Sequence, residues 1–417
     1  MDTPSENIVT VAESEAVRIV AGYPWVLRDR TVGGLAGRAD GDVVAIRSSR
    51  GRFLGRGIIE TASRTGVRIF TRNPDETVGM PLFTRLLSAA RARRGHIERS
   101  GVTDALRIAN GEGDGLPGVF LDRYGDFLLV TLETTALVPH KTALLGAAAA
   151  VFSPKGIYSR RGWKGPIEAP SSETGERAPE LFTVLENGMK FLVSLGATDK
   201  TGLFLDQRGN RTLVREAARD KAVLNTFAHT GAFSVAAALG GARRVVSVDL
   251  SGPALGRARD NFRANGLDPA AHEFPKADVF KALRRWRSAK RRFDIIILDP
   301  PTFSTGPSGT FRTGKDFRQL TAEALALLPP GGILLASMNT RSLAADRFRD
   351  ALRDAAREAK TPLADLKTLP PPEDFPVPRS LPEMQGLKAF LLVPGKPRTR
   401  FGAESRKSHH EGRGAAQ

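Results

Sequence analysis

The chain contains no cysteine. That excludes disulfides, cysteine-ligated zinc or iron–sulfur clusters, and any thiol nucleophile. No metal-binding residues are assigned. No run approaches the roughly 18 consecutive apolar residues of a membrane helix, so no membrane partner is expected. The first residues, Met1-Asp2-Thr3-Pro4-Ser5-Glu6-Asn7, lack a basic segment leading into an apolar one. No secretory signal is read there, and a cytoplasmic location is expected. Acidic residues are outnumbered: 62 lysines and arginines face 45 aspartates and glutamates, a net charge of +17. A surplus that size attracts polyanions through phosphate contacts and counterion release, which puts nucleic acid first among candidate partners. An arginine-rich, alanine-rich composition with no partner would give the same figure.

What is present fits a globular protein of several domains. At 417 residues the chain is too long for one ordinary core, and 41% hydrophobic with 26% charged residues argues against wholesale disorder. Residues 15–75 hold short runs, Val43-Val44-Ala45-Ile46, Phe53-Leu54-Gly55 and Val67-Arg68-Ile69-Phe70, between Gly- and Asp-containing turns, which predicts a small β module. From Leu82 to Arg94, Leu86, Leu87 and Ala90 share a helical face, while Arg85, Arg91, Arg93 and Arg94 make the remainder a candidate basic surface or a solvated face. A turn-dense segment from Asn110 to Gly118 leads into strand-like Val119–Asp122 and Phe127–Leu132, then an alanine-rich helix near 138–151. Lys164–Pro179 reads as a loop. A second, smaller α/β domain accounts for about 80–190.

From Lys221 the period changes. Strand-like runs at 222–225, 244–249, 293–298 and 332–336 alternate with helical stretches at 232–240, 252–265 and 316–328, predicting a parallel sheet covered on both faces. Such sheets bind ligands at the carboxyl ends of their strands. The tail 396–417 carries Arg398, Arg400, Arg406, Lys407 and Arg413 with few apolar residues and reads as disordered.

The chemistry sits at those strand ends. After Asn225 comes Phe227-Ala228-His229-Thr230-Gly231-Ala232, where Gly231 lets the backbone approach a ligand and the helix start offers free N–H groups. Asp249 ends the next strand, 18 residues on, where a carboxylate can accept both ribose hydroxyls of an adenosine-containing cofactor or simply precede a helix capped by Ser251. Asp278 and Val279 would set a polar and an apolar contact against an adenine ring. Then Phe293–Leu298 delivers Asp299-Pro300-Pro301-Thr302-Phe303. The prolines stiffen the turn and leave carbonyls outward. Asp299 and the Pro300 carbonyl can accept hydrogen bonds from a base and aim its nitrogen at a methyl donor, while Phe303 stacks on it. A strand-ending turn is the plainer alternative. No G-x-G-x-x-G stands at the first turn of this βαβ run, which counts against a nicotinamide enzyme.

These residues resemble a known family, the class I methyltransferases related to the 23S ribosomal RNA large-subunit methyltransferases I and K. Tyr23-Pro24-Trp25-Val26 with Gly51–Gly57 is similar to its N-terminal PUA domain, and Asn110–Gly118 with Asp122-Arg123-Tyr124 to its central domain. Lys200–Arg208 is similar to the segment enclosing S-adenosylmethionine, and Phe375-Pro376-Val377 and Leu387-Lys388 to its C-terminal strands. The resemblance implies an α/β fold in which a Rossmann-like class I methyltransferase domain (196–395) follows a small β-rich PUA-like RNA-binding domain (1–78) and a small central α/β domain (79–195), with the tail at 396–417. It implies S-adenosyl-L-methionine as cofactor, contacted by Gln207, Arg208, Phe227, Thr230, Gly231, Asp249, Asp278 and Val279, with Asp299 beside the reacting base. The implied partner is RNA, 23S rRNA or a ribosome-assembly intermediate; a second copy of the chain, as a homodimer, is a further candidate.

One departure narrows the chemistry. Family members that methylate cytosine at carbon 5 share a cysteine after the Gly-Gly strand, because carbon 5 is a poor nucleophile until a thiolate adds to carbon 6. Here that strand reads Gly331–Arg341, and Asn339 stands where the cysteine would be. The Ser337, Asn339 and Arg341 pattern looks more like the guanine-modifying K-type branch, whose nitrogen needs only positioning. The expected activity is methylation of a guanine nitrogen in RNA, with Asp299, Pro300, Phe303 and Asn339 forming the catalytic set. Cytosine carbon-5 methylation by a non-cysteine route, and a non-catalytic RNA-binding or ribosome-assembly factor, are the alternatives.

Overall fold

Short apolar strands with interleaved turns build a six-stranded N-terminal sheet from β1 (Ile8–Val11), β2 (Trp25–Leu27), β3 (Thr31–Gly33), β4 (Val43–Ser48), β5 (Phe53–Ile59) and β6 (Thr65–Thr71), ordered β2-β6-β5-β4-β1-β3. The protein was analysed as a computed structural model that describes residues 7–162, 169–196, 200–301, 303–306 and 309–395, without the side chains of 303–315. Helix α1 (Glu13–Val20) closes one side, burying Ala16 and Ile19 against Val9, Val44 and Ile46.

Helix α2 (Met80–Arg99) then leads to a second sheet of β7 (Ala105–Asn110), β8 (Val119–Tyr124) and β9 (Phe127–Leu132). Helix α3 (Lys141–Phe152) makes the crossover to β10 (Gly156–Arg161), parallel to β9, and β11 (Ser171–Gly175) forms the edge. The stretch expected as a loop up to Pro179 therefore contains an edge strand. Only one flank of β11 is paired and its residues are mostly exposed, so it needs none of the apolar alternation that marks a strand in sequence. The first two sheets share one core, in which Ile58 and Phe70 join Leu86, Leu116 and Leu144. The stretch Thr135–Phe152 is long and apolar enough, by length and composition, to cross a membrane. Here Leu144, Ala147 and Ala148 of α3 pack into that shared core, and Pro139 breaks the segment before them.

The arginine face of α2 is not a free basic surface. Arg94 is buried in a bidentate pair with Asp114 (2.6 and 2.8 Å) and also donates to the Asp374 carbonyl. Arg93 pairs with Asp114, Arg85 with Glu76, and Arg91 with Glu98. Acids from before the helix, from its own last turn and from the turn after β7 have answered those charges.

A hairpin of β12 (Phe182–Glu186) and β13 (Met189–Val193) leads through α4 (Arg208–Ala217) into the third sheet. Its strands are β14 (Ala222–Thr226), β15 (Arg244–Val248), β16 (Ile295–Leu298), β19 (Ile333–Asn339), β20 (Leu363–Leu369) and β21 (Leu387–Pro394), ordered β15-β14-β16-β19-β21-β20, with the small hairpin β17 (Phe303–Gly306) and β18 (Gly309–Arg312) standing apart. Every residue of β14 and β16 is buried, as a sheet covered on both faces requires. The covering helices are α5 (Ala232–Leu239), α6 (Gly252–Ala264), α7 (Val279–Ser288), α8 (Thr313–Leu325) and α9 (Ala345–Glu358). In α9, Phe348, Leu352, Ala355 and Ala356 recur at helical spacing, and Phe348 meets Phe317 and Phe390 edge to face. Leu387 and Lys388 fall in β21 as the resemblance implied, but Phe375–Val377 forms no strand. Prolines at 370–372, 376 and 378 remove the N–H groups a ladder needs, and the segment instead crosses to the second sheet, where Asn110 donates to the Pro376 carbonyl at 2.8 Å. The tail 396–417 lies outside the described residues.

Candidate active site

The turn after β14 is held in an uncommon backbone conformation. Phe227 (φ 53°), His229 (φ 49°) and Gly231 (φ 75°) all lie in the left-handed region, at a cost of about 1 kcal/mol or more for each non-glycine residue. The surroundings fix it. Ala228 N–H donates to the Val248 carbonyl (3.0 Å), His229 N–H to Asp249 Oδ2 (2.8 Å), Thr230 Oγ1 to the Gly202 carbonyl (2.6 Å) and Asn261 Nδ2 to the Thr230 carbonyl (2.8 Å). Beneath it, Asn225 Nδ2 and Ser247 Oγ both donate to Ser234 Oγ. A Cβ on Gly231 would lie 2.7 Å from that of Ala258, so glycine also lets α6 approach α5.

Asp249 follows β15. Its carboxylate accepts the N–H groups of His229 and Ser251, both at 2.8 Å, and faces the turn. Ser251 does cap α6, accepting from Ala254 N–H. The chain returns beside this strand end, with Lys276 bridging to Asp249, so Asp278 and Val279 start α7 nearby. Asp278 accepts Lys281 N–H as a helix cap at 3.1 Å, and Val279 is buried.

Asp299 is recessed beyond the end of β16, with Pro300 buried behind it. Desolvation pushes its carboxyl up from the ordinary value, against hydrogen bonds from Ser337 and Gln207 and the charge of Arg211, which pull it down. Ser337 Oγ donates to Asp299 Oδ1 (2.6 Å); Gln207 Nε2 lies 3.1 Å from Ser337 Oγ, and Gln207 Oε1 accepts from Asn210 (2.6 Å). Thr302 and the Phe303 side chain lie outside the described residues.

One cleft collects much of this set: Gln207, Phe227, Thr230 and Asp299 line it with Gly202, Phe204, Arg211, Asn225, Ala232 and Phe233. Gly231 and Asp249 adjoin it through the turn. Arg208 does not line it. Its guanidinium forms a bidentate pair with buried Asp374 (2.9 and 2.5 Å), because a carboxylate left alone there would carry a large desolvation cost. Asn339 lines a second cleft, where its Nδ2 donates to Asp206 Oδ2 at 2.6 Å. Asp206 was not singled out in the sequence, although it lies inside the Lys200–Arg208 segment. Burial first, and the charge of Asp299 second, raise its carboxyl to about 6.

The first cleft suits a cationic, diol-bearing ligand with an apolar body: carboxylates at two strand ends, a helix start, and the rings of Phe227 and Phe233. A sheet whose strands β15, β14, β16 and β19 run parallel and whose β21 runs antiparallel to its neighbours, with this strand-end chemistry, is the class I methyltransferase arrangement.

The chain belongs to the S-adenosylmethionine-dependent methyltransferase family, whose profile matches residues 163–393, and a PUA-like domain profile matches residues 9–72. Among its relatives, the Ribosomal RNA large subunit methyltransferase I of Cronobacter sakazakii is 35% identical over 387 residues, covering 92% of this chain and 98% of the relative. The protein of the same name from Salmonella typhi is 36% identical over 393 residues, 93% of this chain and 97% of the relative. Among solved structures, a methyltransferase complexed with SAH superposes with a TM-score of 0.83 at 29% identity, covering 93% of this chain and all of that one. A SAM-dependent methyltransferase from Streptococcus mutans gives 0.80 at 29% identity, over 92% and 99%. The protein is accordingly a class I methyltransferase that uses S-adenosylmethionine.

Proposed function

We propose that the chain methylates large-subunit ribosomal RNA, 23S rRNA, at a guanine nitrogen. The RNA assignment is supported by the PUA-like module, the +17 charge and the relatives' names. The nitrogen assignment rests on one observation: where a carbon-5 enzyme of this family would carry its thiolate, Asn339 donates a hydrogen bond to Asp206, and no cysteine exists elsewhere in the chain. A ring or exocyclic nitrogen needs orientation and loss of a proton, with no covalent adduct.

In this reading, Asp249 receives the ribose hydroxyls, Thr230, Gly231 and Phe227 bound the methionine and ribose portions, Asp278 and Val279 face the adenine, and Gln207 supports Asp299 through Ser337. Bound S-adenosylmethionine supplies a methyl group on a positive sulfur. Asp299 and the Pro300 carbonyl orient the base by accepting from its amino group, and Phe303 stacks on it. The working units are 1–78 for RNA binding, 79–195 as the central domain and 196–395 for transfer. Nucleoside mass spectrometry of rRNA from a deletion strain tests the proposal. Loss of one methylguanosine is expected; loss of a 5-methylcytidine with every methylguanosine intact would overturn the nitrogen assignment.

A further inference from the structure

A second cleft, of about 170 Å³, opens beside the cofactor cleft. The two meet at the single turn Leu205–Gln207: Gln207 lines one and Asp206, its neighbour, lines the other. The second cleft is bounded by three parts of the fold: the turn after β7, the ends of β19 and β21, and the proline-rich segment 371–378. Its walls are held tightly. A Cβ on Gly113 would lie 2.0 Å from the Pro376 carbonyl oxygen, and one on Gly386 would lie 2.7 Å from Asn339 Oδ1.

Its polar lining is unevenly satisfied. The guanidinium of Arg107 lies 5.1 Å from the Phe120 ring centre and 4.7 Å from that of Phe375, and its charge is matched by Asp122 at 2.5 Å. Glu112 has 1% side-chain exposure, and its Oε1 is taken by Trp25 and Arg68, but its Oε2 is buried with no hydrogen-bond partner among the described residues. Asp206 has the Asn339 amide on Oδ2. The Asp206 carboxylate, which is partly exposed to the cleft, suits a ligand edge rich in N–H donors, and guanine presents two adjacent ones, on N1 and on its 2-amino group.

We propose that the target guanine, its amino group on Asp299 as above, reaches past the Leu205–Gln207 turn into this second cleft, and that Asp206 accepts the proton its nitrogen loses. The inference rests on the RNA-methylation reading above. As the new N–C bond forms, the C–S bond breaks and its electron pair stays on sulfur, which becomes a neutral thioether; the nitrogen's proton goes to the Asp206 carboxylate. Asn339 is a positioning residue, because its amide N–H holds that carboxylate in place and favours the ionised form.

The experiment measures single-turnover methyl transfer to unmodified 23S rRNA transcript and, in parallel, to large ribosomal subunits from a deletion strain. The wild-type rate should fall as pH drops through about 6, where Asp206 takes up a proton. Asp206→Asn should slow transfer by about 10²–10³-fold and abolish that acid limb. Its affinity for SAH by calorimetry and for RNA by filter binding should stay within about threefold, because Asp206 does not line the cofactor cleft and the amide oxygen of an asparagine can still accept from the guanine edge. Asn339→Ala, which removes the donor, should move the limb to higher pH. An Asp206→Asn protein that keeps the wild-type rate or the limb, or that loses SAH or RNA binding along with the rate, overturns the proton-acceptor role while leaving the methylation reading intact. A wild-type protein that binds SAH yet labels neither RNA overturns the methylation reading, and this inference with it.

Discussion

Asp206 places an acid where water has little access, next to a second acid, and that arrangement works against folding. Its carboxyl lies near 3.8 when unfolded and about 6 in the fold, so between those values the folded state binds the extra proton and stability falls as pH rises. Above pH 6 the penalty is complete; below 3.8 it is absent. Asp206→Asn should therefore stabilise the protein at pH 7.5 by about 1–2 kcal/mol, after discounting for partial solvent access, and the gain should shrink toward zero near pH 4. Urea unfolding at the two pH values checks this. The acids at strand ends, Asp249 and Asp299, were legible in the sequence because a strand and the residue that follows it are local. The pairing of Arg208 with Asp374, 166 positions away, was not, since only tertiary packing chooses that partner. The same holds for Arg94 and Asp114, which looked like a basic face until the fold supplied the acid.

At the scale of elements, alternation of apolar runs and amphipathic stretches was enough to read β14, β15, β16 and β19 with helices α5, α6 and α8, because a buried parallel strand needs an unbroken apolar run, whereas α7 and the β17–β18 hairpin were not read. Strand β11 hid in a Ser- and Glu-containing segment that buries little, and the proline-rich 370–378 segment owes its position to partners in the second sheet rather than to any pattern of its own. The turn from Phe227 to Gly231 was recognised by its glycine, but the two further left-handed residues were not, because Phe has no preference for that conformation and His, though enriched there, adopts it too rarely to mark it in a sequence. This turn joins the sheet, α5 and α6, so a change there acts on all three. Gly231→Ala must adopt φ 75° and also press against Ala258. We expect a loss of about 1–3 kcal/mol in stability and roughly tenfold weaker SAH binding by calorimetry, the first from strain and the second from displacement of the Thr230–Gly231 backbone.

Over the whole molecule, the N-terminal sheet is fastened to the second by a buried charge cluster. Arg68 is shared between Glu60 (2.7 Å) and Glu112 (2.9 Å), and Trp25 donates to the same Glu112 oxygen at 3.0 Å. Glu112 also lines the second cleft, so the fastening and the cleft share a residue. Arg68→Ala would leave two buried acids unpaired, a loss of about 3–5 kcal/mol. Limited proteolysis should then cut between the N-terminal sheet and α2 well before the wild type is cut, while SAH binding by the first cleft, which none of these residues lines, persists. The third sheet carries a different constraint. Strand β21 is the last described strand in the chain, yet it lies inside the sheet, between β19 and β20, with Asn339 registered opposite Leu387. A chain still being synthesised can form β14 to β20 but leaves a gap beside β19, and the Asn339 end of that strand has no neighbour on its outer side. A half-made copy, emerging from a ribosome that itself contains the RNA we propose as its target, would thus be inert toward that RNA until residues 387–394 have emerged and closed the sheet.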